Sequence, residues 1–225
     1  MPEQETFEQF FDAVLSGPWA DPADPHRRVA DALRRLSHRS VVHRPQRDQG
    51  ELAVLADRLE ALLDGPDPDA ATSRYDPADM YDVQTHRVRP NSRGTHPLMG
   101  LANAVSPPLL VGFDDDGVYA DVVYDARHEG LYGFVQGGFI AAAFDLMIGQ
   151  AVASRGGRGV TASLHVSYRV PTPIGQPLQY RAQFVRIDGR KAYSKAQLVR
   201  LADEVVTAEA DGLFVTPRQP LYEDN

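Results

Sequence analysis

No cysteine occurs among the 225 residues, which removes disulfides, thiolate nucleophiles and Cys-ligated metals together. Positive charge is also short: 23 Lys and Arg stand against 31 Asp and Glu, giving a formal charge of -8 and a pI near 5.3. That balance argues against a nucleic-acid polyanion as partner and leaves only a local basic patch open. No pair of His and carboxylates has the spacing of a metal site, and no G-x-S-x-G elbow offers a serine nucleophile. The first residues, MPEQETFEQFFDAVL, are acidic where a secretory leader is basic and then continuously apolar, so a cytoplasmic location is expected.

Long apolar runs are scarce too, and the one exception is the most informative stretch. From Leu131 to Ser154 the chain reads LYGFVQGGFIAAAFDLMIGQAVAS, with Asp145 as its one charged side chain. Such a run has the length of a membrane span, in which the Asp would cost roughly 2.5 to 3.5 kcal/mol near the bilayer centre. It also fits a buried helix whose Asp is either satisfied by a neighbouring hydroxyl or amide, or is functional. The amphipathic strands that follow need a helix to cover them, which favours the soluble readings.

The chain divides near residue 75, into a helical N-terminal extension with its linker (1–75) and a second unit (76–225). Phe7, Phe10, Phe11 and Val14 fall on one helical stripe, as do Leu52, Leu55, Leu59 and Leu62 or Leu63. Between them His26 to Arg39 forms a basic amphipathic stretch with Val29, Leu33 and Leu36 on its apolar side. PWADPADP and DGPDPDAATSRYDP break these segments with Pro, Gly and Asp. The HRR, RRLSHR and HRPQR clusters read as solvated helix faces before they read as sites for an acidic ligand.

From Leu109 the period changes to two. Leu109 to Phe113 and Val118 to Tyr124 flank an Asp-Asp-Asp-Gly turn and read as a hairpin. After the apolar helix come four strand-like runs, Val160 to Val170, Leu178 to Ile187, Ala192 to Leu201 and Val205 to Val215, expected to form a meander. In the first, Ala162, Leu164, Val166, Tyr168 and Val170 share one face, and Thr161, Ser163, His165, Ser167 and Arg169 the other. A helix this apolar, expected to be buried on nearly all sides, calls for a sheet curved around it.

The stretches HEGLYGFVQGGFIAAAFDLMIGQAV, GVTASLHVSYRVPTPIGQPL and GRKAYSKAQLV together resemble the hotdog-fold acyl-CoA thioesterases of the phenylacetate-pathway (PaaI) and THEM4-like type, over roughly residues 97–217. The pattern is His-Gly-Gly, a turn or two of small apolar helix, Asp or Glu, a Thr after the helix, and a Tyr-Arg-x-Pro-x-Pro strand end. Gln136, Gly137, Gly138, Asp145, Thr161 and Tyr168 to Pro173 stand in those places, with Gln136 in place of His. The resemblance implies an α+β hotdog: an antiparallel curved sheet wrapped around one long central helix. It also implies a homodimer or tetramer with its sites at the subunit interface. The implied substrate is an acyl-CoA, with acyl carrier protein an alternative thioester carrier, and no cofactor is required.

The positions support that chemistry on their own terms. Two glycines opening a helix expose backbone N–H groups at the positive end of its dipole, suited to the oxyanion of a thioester under attack; close packing of the helix start would also require them. Asp145 would then activate water or attack the thioester itself, with Thr161 orienting it. Gln136 can donate to the thioester oxygen or align the glycine turn, but shuttles no proton. Gly138 and Asp145 lie seven residues apart on one helix, about 10 Å by helical rise, so one substrate would need two antiparallel copies. For the substrate, Gly137, Phe134 and Phe144, beside Phe139, Leu146 and Met147, are candidates for the acyl channel, and Arg169, Arg190 and Lys191 for the phosphates. His165 could approach the pocket, although a hydrogen-bonded sheet histidine is the first reading, and His128 could gate it or lie on the surface. A dehydratase would want a catalytic His where Gln136 stands. A non-catalytic acyl-thioester-binding or scaffold protein is the alternative of a different class.

Overall fold

The computed structural model describes residues 21–42, 49–61, 96–107, 109–157 and 159–218. The boundary expected near residue 75, the Phe7 to Val14 stripe, Leu62, Leu63 and the HRPQR cluster lie outside the described residues. The basic stretch is a helix, α1 (Pro25–Val42), and the leucine stripe belongs to α2 (Gln49–Ala61).

Period-two runs become strands β1 (Leu110–Asp114), β2 (Gly117–Val122), β3 (Val160–Tyr168), β4 (Leu178–Asp188), β5 (Lys191–Arg200) and β6 (Val205–Val215), within a residue or two of expectation. The first hairpin closes where the Asp114 carboxylate accepts from the Asp116 and Gly117 amides, at 3.0 and 2.9 Å. The second closes on Gly189, whose φ of 56° suits a residue without Cβ. The apolar run becomes α3 (Gly137–Ala153), 17 residues long and starting only at Gly137. Among the described residues no helix is long and apolar enough to cross a membrane.

All neighbouring strands are antiparallel, in the order β1-β2-β4-β5-β6-β3. The expected four-strand meander is therefore only partly present: β4, β5 and β6 form it, while β3 pairs with β6 at the far edge. The length of α3 accounts for this. Seventeen residues rise about 25 Å, enough to carry the chain across the four strand spacings, about 19 Å, between β2 and β3.

The sheet floor is shaped for a helix. One cross-strand row reads Val118, Ala182, Ala196, Ala210, Val166, so three alanines form a trough between two valines. Into it α3 lowers a stripe at helical spacing: Ile140, Ala143, Phe144, Met147, Ile148, Ala151 and Val152 are all buried. Contact is closest at Gly212, where a Cβ would stand 2.5 Å from Ile148. The expectation of a helix buried on nearly all sides fails within one chain. Gly138 and Ala142 on the opposite stripe are exposed, and Ala141, Asp145 and Gly149 are half-buried. In the core Tyr124 and Tyr180 meet hydroxyl to hydroxyl at 2.9 Å, and Tyr180 packs edge-on against Phe144 with ring centroids 5.1 Å apart.

Docking of α1 also departs from its sequence pattern. Its apolar side is largely left out, with Val29 and Leu33 exposed and Leu36 half-buried, while Ala30 and Arg34 are buried. Arg34 pairs with Asp31 at 2.6 Å and donates to the carbonyls of Gly100, Leu101 and Asn103 at 3.1, 2.9 and 2.6 Å. At this residue the solvated-face reading is overturned: three main-chain carbonyls converge on one guanidinium nitrogen and outbid water for it.

Candidate functional site

Asp145 sits two turns into α3, half-buried, and Thr161 Oγ1 donates to its Oδ1 at 2.8 Å. Strand alternation alone would place Thr161 on the outer face with Ser163 and His165. A β-bulge prevents this. Thr161 pairs with Phe214 and Ser163 with Leu213, leaving Ala162 as the extra residue, so Thr161 shares the helix-facing side with Leu164, Val166 and Tyr168. The same bulge leaves His165 facing outward opposite Asp211 and away from Asp145, with its Nε2 3.5 Å from Ser167 Oγ, as expected of a hydrogen-bonded sheet histidine rather than a pocket residue.

Gln136 is the N-cap of α3, extended at φ -65° and ψ 129°, and its Oε1 accepts from the Gly138 amide. Of its two expected roles, the side chain performs the alignment of the glycine turn. The carbonyl of Gly137, in that same peptide unit, accepts from the Tyr168 hydroxyl at 2.8 Å. A Cβ at Gly137 would stand 3.1 Å from the Tyr168 ring, so glycine is what lets the tyrosine approach.

Two groupings result, and β3 spans them. Gln136, Gly137, Gly138 and Tyr168 lie at one end, Asp145 and Thr161 at the other. Seven helical residues separate Gly138 from Asp145, about 10 Å of rise, and seven strand residues separate Thr161 from Tyr168, about 23 Å. A single chain does not bring the amide donor to the carboxylate.

Among the residues considered for substrate, Phe134 is partly exposed and its backbone bridges to Pro173, whereas Phe144 and Met147 are enclosed in the core. Arg169 is exposed and ion-paired to Glu209 at 2.7 Å, and with Gln197 it holds that carboxyl below its ordinary range. Arg190 donates to the Thr216 carbonyl at 2.8 Å, and Lys191 is exposed. Arg169 follows Tyr168 at one end of β3. Lys191 lies at the other, since it pairs with Val215, which pairs with Val160.

His128 is neither gate nor surface. It is 2 % exposed, its Nδ1 accepts from the Asp125 amide at 3.2 Å, and its ring packs edge-on against Phe139. Burial alone would push the Asp125 carboxyl up; the His128 ring beside it and the hydrogen bonds from Arg127 outweigh burial and hold that group well below the carboxylate range. Tyr168 is the residue that sequence reasoning passed over. The signal in the sequence is slight: a tyrosine in phase with Leu164 and Val166 lies on the helix-facing side of β3.

Residues 132–207 match the thioesterase superfamily. The acyl-coenzyme A thioesterase THEM4 of Mus musculus is 32% identical over 95 residues, 41% of this chain and 41% of its own. That of Xenopus laevis is 33% identical over 87 residues, 39% of each chain. The match thus spans about two fifths of these relatives. A solved structure described as a thioesterase superfamily protein is 28% identical and superposes with a TM-score of 0.72, covering 86% of this chain and 91% of that one.

Proposed function

We propose that this protein hydrolyses an acyl-CoA to the free acid and CoA, since residues 132–207 match the thioesterase superfamily and the fold superposes on that of a thioesterase superfamily protein. The observation that carries the reading is the Thr161–Asp145 hydrogen bond, for which the β3 bulge turns Thr161 toward the helix. It occupies Oδ1. Oδ2 has no hydrogen-bond partner among the described residues and is left to react.

Two courses use that oxygen. In one, Asp145 takes a proton from water as the water oxygen bonds to the thioester carbonyl carbon; the tetrahedral adduct then expels the thiolate of CoA, which is reprotonated. In the other, the carboxylate attacks the carbonyl and releases CoA, leaving a mixed anhydride that water cleaves. Both build negative charge on the carbonyl oxygen, and the Gly138 amide at the helix N-terminus suits it. Gln136 holds that amide in the free protein and gives way to the substrate oxygen. Its own NH2 can then donate to the same atom.

A second copy completes the site in this reading. Pairing β3 to β3 around a two-fold axis would bring Gly138 of one subunit opposite Asp145 of the other. In support, the outer edge of β3 has no strand neighbour among the described residues, and the outer stripe of α3 carries small residues, Gly138, Ala141 and Ala142, that permit a second helix to approach. The same two-fold would gather Arg169 of one subunit with Arg190 and Lys191 of the other, a basic rim for the phosphates of CoA. The capped Gly138 amide favours the second reading, a hotdog protein that binds acyl thioesters without turnover.

Thiol release from acetyl- through palmitoyl-, phenylacetyl- and benzoyl-CoA decides between them. Wild type is expected to turn over at least one member, and Asp145→Asn to lose about 10²- to 10⁴-fold, the usual worth of a general base. A wild type that binds acyl-CoA and releases no thiol from any member would establish the binding reading. Intact mass during a single turnover, with or without an acyl adduct on Asp145, separates the two courses.

A further inference from the structure

We propose that Tyr168 is a positioning residue for the oxyanion donor, acting through the peptide between Gly137 and Gly138. The inference rests on the thioesterase reading and adds a residue to its machinery. That peptide is one planar, conjugated unit. Its oxygen accepts from the Tyr168 hydroxyl at 2.8 Å, and its N–H is the group that Gln136 caps with a side-chain carbonyl oxygen. An amide carbonyl oxygen thus already stands where the thioester oxygen would.

A hydrogen bond onto a peptide oxygen draws electron density from the nitrogen and makes the N–H a stronger donor. It also fixes the plane, so the N–H points the same way before and after Gln136 leaves. Preorganisation of this kind lowers the barrier without tightening ground-state binding. Tyr168 is 53 % exposed and on an edge strand, where a tyrosine ordinarily gives its hydroxyl to water. Here the ring lies over Gly137, within 3.1 Å of where a Cβ would be. One strand therefore holds both parts of the chemistry, the carboxylate through Thr161 and the donor peptide through Tyr168.

Tyr168→Phe keeps the ring and removes the hydroxyl. It is expected to lower kcat roughly five- to tenfold, the scale of one neutral hydrogen bond, with KM for the acyl-CoA and the melting temperature unchanged. In 1H–15N spectra the Gly138 amide proton should move upfield, a shift that simple destabilisation would not produce. Wild-type kcat in the variant, a change confined to KM, or an unmoved Gly138 amide would each overturn the positioning role while leaving the thioesterase standing. A wild type inert on every acyl-CoA overturns both.

Discussion

Tyr124 and Tyr180 share one hydrogen bond between two fully buried rings. Burial disfavours the phenolate, so Tyr124 is pushed up to about 12 and Tyr180 well above its ordinary value. In the unfolded chain both titrate near 10. A folded-state pKa above the unfolded one gives stability that is complete below about pH 10 and is lost as pH rises toward about 12. The urea midpoint should therefore hold steady between about pH 7 and 9 and fall beyond about pH 10, with phenolate absorbance from these two rings appearing only as the protein unfolds. A midpoint that stays level to about pH 12 would refute the assignment. Asp145 was visible in the sequence because a lone charge in an apolar run demands an explanation, and Thr161 because it stood at the expected distance beyond the helix. Tyr168 was visible only as part of a strand end: spacing along a chain does not reveal which carbonyl a hydroxyl will meet.

Strands and helices were legible because their periods are set by burial, and β4, β5, β6 and α3 fall close to where alternation and apolar content put them. Two features were not. Nothing local marks β3 for the far edge, since any antiparallel neighbour would satisfy its backbone. The bulge was hidden because one surplus residue inverts the parity of everything before it, which is how Thr161 and His165 came to be placed on one face. The pairing yields a test. Deleting Ala162 leaves Thr161 opposite Phe214, so turnover should persist. Thr161→Val keeps the shape without the hydroxyl and should lower kcat roughly ten- to a hundredfold, as for a hydrogen bond to a charged group. Equal losses from the two changes, measured by thiol release, would show that the bulge matters for something other than aiming Thr161.

For the whole molecule the sharpest expectation concerns composite sites. Gly138→Pro removes the amide donor within the first helical turn, where a backbone N–H has no intrahelical acceptor to lose. Mixed with Asp145→Asn subunits and reannealed, it should form heterodimers in which one site carries both lesions and the other neither. Random pairing would restore about a quarter of the wild-type sites, and a mixture no more active than its parents would place donor and carboxylate in one chain. The N-terminal segment was the least legible part, because the apolar stripe of α1 suggested the wrong docking face. Arg34 makes that joint, and it reads only main-chain carbonyls at Gly100, Leu101 and Asn103. The attachment is therefore indifferent to the side chains of the loop it grips. Leu101 can be recoded, in a library or by drift, as long as the loop keeps its path, whereas Asn103 helps to set that path, since its Oδ1 accepts from the Val105 amide at 2.9 Å. Arg34 has no such latitude: its Nη2 serves the three carbonyls while its Nη1 holds Asp31, and the single ammonium nitrogen of a lysine cannot divide itself between them.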